Sequence, residues 1–170
     1  MAPNAPPTGD SSLPVLSERV AAGAEIGAPD GTLTLTHALR QKSRQRARLD
    51  DGRAVGVSLS SGARLRDGDR LRGDGLCVVV RAALEAVSVA RCDDPLVLAR
   101  TCYHLGNRHV PLQVLPGEAR YLGDPVLAAM AAKQGADVQH AALPFAPEPG
   151  AYEAGHDGSG HSHAKHSHGS

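Results

Sequence analysis

Apolar and polar residues alternate over short stretches in the first half of the chain, between residues 13 and 82. "TLTLT" (32–36) and "AVGVSL" have the two-residue period of half-buried strands, and Asp51-Gly52 between them marks a tight turn. "LCVVVRA" (76–82) is a short apolar run, which predicts a buried strand. Short strands separated by glycine turns predict a small antiparallel sandwich or barrel.

The pattern changes after about residue 84. A strand, "EAVSVAR", precedes "DDPLVLARTCYHLGN", where Asp94 is a candidate N-cap and Pro95 takes the first helical position. Two strands follow, "VPLQVL" and "EARYL", and a second helix starts at Asp124-Pro125 before a last strand, "ADVQHAAL". The order β-α-β-β-α-β is typical of a ferredoxin-like domain, so the whole chain is predicted to be α+β.

These changes in pattern divide the chain into four segments. Residues 1–12 contain neither a basic nor an apolar stretch, so we interpret them as a disordered leader and not as a secretory signal. Residues 13–83 are the amino-terminal β-domain, and residues 84–145 are the ferredoxin-like domain. Residues 146–170 are rich in proline, glycine and histidine, which indicates a flexible linker and a His-rich tail.

Charge and composition argue against binding to nucleic acid or membrane. Lysine plus arginine and aspartate plus glutamate are 18 each, and aromatic residues make up only 2% of the chain. "RQKSRQRAR" (40–48) could contact phosphates, but without stacking residues we favour a solvated strand face carrying Arg44, Arg46 and Arg48. No apolar run is long enough to span a membrane.

The cysteines predict a reducing compartment. Cys77, Cys92 and Cys102 are odd in number and lack CxxC spacing, which argues against disulfides and zinc knuckles. We therefore expect a cytoplasmic protein and interpret the three thiols as small buried hydrophobic groups.

The tail "GHDGSGHSHAKHSHGS" is the first candidate for metal chemistry. Neutral imidazole binds Ni(II), Zn(II) and Cu(II) well, and closely spaced histidines can wrap one ion. A purification tag is the alternative, but tags are unbroken histidine runs, whereas Ser, Ala, Lys and Gly interrupt this segment. From Gly150 to His168 a flexible chain spans about 23 Å, enough to fold back on its own domain or on a dimer mate. The candidate ligands in the tail are His156, His161, His163, His166 and His168.

A second candidate site lies in "CYHLGNRHVPLQV". Cys102 and His104 point about 200° apart on a helix, so they do not form a thiolate–imidazole dyad. We expect Gly106 to adopt a positive φ and to leave His109 exposed at the helix–strand junction. A lone surface histidine is a poor site, but a two-fold dimer with this edge on its axis would bring two copies of His109 together. We interpret His37 and His140, in predicted strands, as structural.

The stretches "YHLGNRHVPLQV", "PGEARYL" and "LPFAPEPGAY", followed by a His-rich tail, closely resemble the UreE family of nickel metallochaperones for urease maturation. "LTLTHALRQKSRQRARLDDGRAVGVSL" resembles the amino-terminal, partner-binding domain of the same family. The resemblance implies a cytoplasmic homodimer without catalytic activity. It would bind Ni(II), with Zn(II) or Cu(II) as competitors, and pass it to the urease accessory GTPase and through it to the urease apoprotein complex.

The resemblance also implies a set of ligands. His109, which closes the GNRH motif, would come from both subunits at the dimer interface, and tail histidines would complete the site. "RYLGDPVL" lacks the extra histidines that some members carry there, so further sites in the body of the protein are not expected. The alternative function is nickel or zinc storage through the tail alone. The chain contains no GxSxG, HExxH or GxxxxGK[ST] motif, and we expect no enzyme.

Overall fold

The computed structural model describes residues 13–24 and 27–149. The amino-terminal unit begins with β1 (Val15–Leu16), β2 (Glu18–Val20) and β3 (Gly31–Leu35), followed by the short helix α1 (His37–Arg40). It continues with β4 (Arg44–Arg48), β5 (Ala54–Ser58), β6 (Arg70–Gly73) and β7 (Leu76–Ala82).

These strands form two sheets, with the orders β1-β5-β4 and β2-β6-β7-β3. The expectation of a wholly antiparallel β-domain is corrected here, because β1 pairs with β5 and β3 pairs with β7 in parallel. Both parallel pairs join strands that are far apart in sequence, which gives the chain the length that a parallel crossover needs.

The two sheets enclose one apolar core. Alternate residues of the strands point inward, as in β3, where Leu33 and Leu35 are buried and Thr34 is exposed. Leucine and valine fill this core in place of aromatic residues. Its fully buried members include Leu16, Leu33, Val55, Leu65, Leu71, Val78 and Val80.

The carboxy-terminal unit has the predicted ferredoxin-like order. It consists of β8 (Leu84–Arg91), α2 (Pro95–Gly106), β9 (Gln113–Leu115), β10 (Glu118–Leu122), α3 (Pro125–Lys133) and β11 (Asp137–Pro144). Its four strands form one antiparallel sheet with the order β11-β8-β10-β9. The α+β fold class is therefore confirmed.

Each long helix begins with the Asp-Pro pair that the sequence indicated. The side chain of Asp94 accepts a hydrogen bond from the Leu96 amide at 2.8 Å. That of Asp124 accepts from the amides of Val126 and Leu127, at 2.8 and 3.0 Å. The carboxylates satisfy amides that have no partner within the first helical turn, and proline supplies a fixed helical φ.

The two faces of the second sheet have different neighbours. Ala90 of β8 lies in a cluster with Leu105 of α2 and Ala131 of α3, so both helices cover this face. Val87 and Val89 point to the opposite face, where they pack with Phe145. The residue after β11 therefore begins a segment that lies across the face without helices.

Helix α1 lies where the amino-terminal unit meets this segment. His37 was expected in a strand, but it is the first residue of α1, because Thr36 caps the helix by accepting a hydrogen bond from the Leu39 amide. The His37 amide donates to the Glu85 carboxylate of β8 at 2.6 Å. Within the ranges 13–24 and 27–149, no helix is long and apolar enough to cross a membrane.

Candidate metal centre

The end of α2 places His109 in an unusual backbone conformation. The helix ends at Gly106, and Asn107 caps it in the right-handed region. The Arg108 amide then donates to the Leu105 carbonyl at 3.0 Å, and the His109 amide donates to the Gly106 carbonyl at 2.8 Å. This tight turn leaves His109 with a φ of 57°.

The expectation that Gly106 adopts a positive φ is therefore wrong. Gly106 is the last helical residue, and the left-handed position comes three residues later, at His109. A histidine tolerates this region less well than glycine, and non-glycine residues with positive φ cluster at functional sites. The exposed position of the His109 side chain agrees with the sequence-based expectation.

Packing on both sides fixes the backbone at His109. Leu105, in the last turn of α2, is fully buried. Val110 and Leu112 are half-buried against the same apolar cluster. His109 thus has a backbone that is anchored on both sides and an exposed imidazole.

The other potential ligands near the end of α2 are less suitable. Burial raises the pKa of the Cys102 thiol, with a smaller effect from the neighbouring Cys92, so the thiolate needed for metal binding is disfavoured. His104 is half-buried, and its ring contacts Tyr103 edge to face with centroids 5.4 Å apart. Within the described residues, no three His, Cys, Asp or Glu side chains come together as a metal site.

The segment after β11 brings the base of the tail close to His109. Phe145 is fully buried against Val87 and Val89. The Ala146 amide donates to the Gln113 side chain at 3.2 Å, and the Glu148 amide donates to the Leu112 carbonyl at 2.7 Å. Residues 146–149, expected to begin a flexible linker, are therefore held by specific hydrogen bonds.

The path of this segment follows from the strand order. It leaves β11 at one edge of the sheet and reaches β9 at the other edge. Three strand spacings amount to about 14 Å, which is also about the reach of four extended residues. Glu148 then lies beside Leu112. Leu112 is three residues after His109, so these two residues are at most about 11 Å apart.

Two large apolar side chains of α2 and α3 are exposed. Tyr103 is 66% exposed, and Val126, at the start of α3, is 67% exposed. A shallow groove that includes Val126 is lined by Arg108, Pro125, Val126, Ala129, Met130 and Lys133. The groove therefore begins at Arg108, the residue that precedes the candidate ligand His109.

The remaining predicted site residues fall into two groups. His156, His161, His163, His166 and His168 lie outside the described residues. His140 lies in β11 as predicted, and its Nδ1 is 3.1 Å from the Ser88 hydroxyl, which agrees with a structural role.

The basic stretch 40–48 is not one continuous surface. Arg44, Arg46 and Arg48 are exposed on one face of β4, as predicted. Arg40 is only 3% exposed, and it donates hydrogen bonds to the carbonyls of Leu65 and Phe145. Sequence reasoning missed this contact, although the single phenylalanine of the chain, between two prolines, was a signal of a buried anchor.

Comparison with known proteins agrees with this architecture. Residues 15–83 match the family described as UreE urease accessory protein, N-terminal domain, and residues 85–170 match its C-terminal domain. The urease accessory protein UreE of Alkalilimnicola ehrlichii is 58% identical over 134 residues, covering 78% of this chain and 80% of the relative. That of Citrobacter koseri is 52% identical over 135 residues, covering 78% of this chain and 87% of the relative. That of Pseudomonas putida strain GB-1 is 48% identical over 136 residues, covering 79% of this chain and 82% of the relative.

The structure is that of a small α+β protein in which an exposed imidazole lies at a helix–strand junction. The chain belongs to the UreE family of urease accessory proteins. Its role is therefore in the maturation of urease.

Proposed function

We propose that this chain binds Ni(II) and delivers it for assembly of the urease active site, with His109 as the fixed ligand and tail histidines as the others. The observation that carries the proposal is the geometry at Leu112. The last anchored part of the chain lies beside the anchored turn that presents His109. His156 is eight residues beyond Glu148, a reach of up to about 29 Å, so the first tail histidine can come to His109.

A homodimer would supply the ligands that one protomer lacks. In the part of the chain that the structure describes, His109 has no second and third donor beside it. A two-fold axis at the end of α2 would pair two copies of His109, and the exposed side chains of Tyr103 and Val126 are candidates for the same contact. Two tails then converge on one site from either side.

Imidazole ligation suits a protein that must both hold and release its metal. Neutral nitrogen ligands bind nickel well, and ligands on separate segments can be exchanged one at a time with a receiving site. Zn(II) and Cu(II) are competitors, since copper outranks nickel at most nitrogen sites, so selection of nickel depends on geometry. The metal is cargo here, and the chain has no catalytic role of its own.

The partners in this proposal are those implied by the family. The chain, acting in the cytoplasm, passes nickel to the urease accessory GTPase and through it to the urease apoprotein complex. The support for this step is membership of the urease accessory family. The amino-terminal unit, which has its own apolar core, is the proposed partner-binding domain.

Nickel titration of four proteins and one control variant, His140→Ala, tests the proposal. The four proteins are the full-length chain, a chain ending at Pro149, and the His109→Ala variant of each, with mass in solution measured alongside. We expect the truncated dimer to keep about one ion and His109→Ala to remove it. The control is His140→Ala, which removes an exposed histidine of β11 and should leave that ion bound. An unchanged first site in His109→Ala contradicts the assignment.

The same titration separates delivery from storage. If the tail only buffers nickel or zinc, the chain ending at Pro149 binds almost no metal, and His109→Ala has no effect in the full-length protein. The fixed position of His109 favours delivery, because a buffer has no need of an anchored ligand.

A further inference from the structure

Arg40 is a buried cation whose role the proposed metal centre does not yet explain. It lies in α1 of the amino-terminal unit, yet one of its guanidinium nitrogens donates to the carbonyl of Phe145, at the base of the carboxy-terminal segment. Its other terminal nitrogen is 3.5 Å from the Leu65 carbonyl. The side chain thus connects the amino-terminal unit to the first residue after β11.

A second contact from α1 holds the same residue. The His37 ring contacts the Phe145 ring edge to face, with centroids 5.4 Å apart at 76°. The His37 backbone is fixed in turn by the Glu85 carboxylate of β8. Both the carbonyl and the ring of Phe145 are therefore held from α1, while Val87 and Val89 pack against it within the carboxy-terminal unit.

What Phe145 holds is the start of the tail. From Phe145 the chain crosses the sheet to Glu148, whose amide bonds to Leu112 near His109. If Phe145 is released, the hydrogen bonds of Ala146 and Glu148 to Gln113 and Leu112 lose the anchor that precedes them. Once these two hydrogen bonds open as well, the last fixed residue is Pro144 at the opposite edge of the sheet, about 14 Å away. The tail then has to cover this distance itself before it reaches His109.

We propose that Arg40 is a positioning residue for the metal centre: it holds the Phe145 carbonyl and so fixes the start of the histidine tail on the His109 side of the sheet. The amino-terminal unit therefore controls where the tail begins. This inference rests on the proposed function, in which the tail completes the site at His109.

Amide hydrogen exchange in the metal-free, full-length protein tests the anchor itself. Arg40→Met removes the donors and keeps much of the side-chain volume, so we expect the Glu148 amide to exchange at least about tenfold faster, while amides in α2 are unaffected. Arg40→Lys keeps a charge and one donor group, and should restore part of the protection. Unchanged protection of Glu148 in Arg40→Met overturns the proposal.

A matched control separates positioning from loss of stability. Asp69 is 2% exposed in the amino-terminal unit and accepts a hydrogen bond from the Arg66 amide at 2.8 Å. The substitution Asp69→Asn perturbs that unit without touching Phe145. We expect it to leave exchange at Glu148 unchanged. Equal acceleration by Asp69→Asn and Arg40→Met means that Arg40 acts only through stability.

Nickel affinity then tests the consequence for the site. Nickel affinity is measured for the parent protein and for the Arg40→Met variant, each as the full-length chain and as the chain ending at Pro149. We expect Arg40→Met to weaken binding about three- to tenfold in the full-length protein, because a displaced and longer tether lowers the effective concentration of the tail. In the truncated protein we expect Arg40→Met to leave nickel affinity unchanged. An equal loss of affinity in the full-length and truncated proteins overturns the positioning role.

The two proposals fail in different ways. If truncation leaves the nickel affinity of the parent protein unchanged, the tail does not complete the site. The proposed function is then wrong about the tail ligands. The exchange measurement still decides whether Arg40 anchors the segment. If truncation weakens nickel binding but Arg40→Met does not, the proposed function stands and the role of Arg40 is wrong.

Discussion

The left-handed conformation of His109 is a local strain next to the proposed ligand. Its φ is 57°, a region in which a side chain crowds the backbone and glycine does not. We expect His109→Gly to raise the free energy of unfolding of the metal-free protein by about 0.5–1 kcal/mol, while removing the ligand. Urea denaturation without metal measures the first effect, and nickel titration the second.

The matched control for this prediction is His104→Gly. His104 lies in the last turn of α2, where glycine is unfavourable, so this substitution should lower the free energy of unfolding. A loss of stability in both variants would mean that the His109 side chain contributes more to the fold than its conformation costs.

Residue types alone did not locate this strain. Gly106 is the residue that usually takes a positive φ at a helix end, so the sequence favoured it. In the structure the amides of Arg108 and His109 continue the turn by bonding to Leu105 and Gly106, which delays the left-handed residue to position 109. The exposed position of His109 was predictable, since it follows the buried Leu105 at the end of an amphipathic helix.

At the scale of elements, the capping carboxylates of the two long helices accept different numbers of hydrogen bonds. Asp124 accepts two amide hydrogen bonds at the start of α3, and Asp94 accepts one at the start of α2. We expect Asp124→Ala to lower the free energy of unfolding by about 1–2 kcal/mol and Asp94→Ala by about 1 kcal/mol. Thermal and urea unfolding of the two variants gives the comparison.

The controls are Asp124→Asn and Asp94→Asn, which keep an oxygen acceptor at the same position. Asparagine is as good an N-cap as aspartate, so both variants should remain close to the parent protein in stability. If the asparagine variants are as unstable as the alanine variants, the carboxylates act through their charge and not as caps.

The elements were predictable where local signals agreed. In the carboxy-terminal unit the Asp-Pro starts, the apolar spacing and the final glycines all indicated the same β-α-β-β-α-β order, which the structure shows. In the amino-terminal unit, α1 was missed because four residues, His37–Arg40, are too short to show a helical period after "TLTLT". The parallel pairs involve distant strands, and nothing in the local sequence reports such pairing.

At the scale of the whole molecule, His37 lies where the amino-terminal unit contacts Glu85 and Phe145 of the carboxy-terminal unit. Burial lowers the pKa of His37, the nearby Arg40 and Arg64 lower it further, and Glu85 opposes them. The unfolded chain therefore takes up this proton more readily than the folded one. Stability is lost as the pH falls below about 6.5, the ordinary pKa of histidine, and the loss is complete below the folded pKa.

We expect His37→Gln to reduce this loss of stability in acid. Free energies of unfolding measured by urea at pH 7.5 and pH 5.5 should differ less in His37→Gln than in the parent protein. The comparison cancels the contributions of all other titrating groups, including those of the tail. Equal differences in the two proteins would show that protonation of His37 is not linked to folding.

Nickel binding should depend on pH in a way that reports how many imidazoles join the site. A histidine must be neutral to bind metal, so in acid one proton competes with the metal at each imidazole ligand. If His109 and tail histidines share the ion, log affinity of the full-length dimer falls more steeply between pH 6.5 and 5.5 than that of the chain ending at Pro149. Competition titrations with a chelator of known affinity measure both slopes. Parallel slopes for the two lengths would mean that the tail binds separate ions, which is the behaviour of a store and not of a divided site.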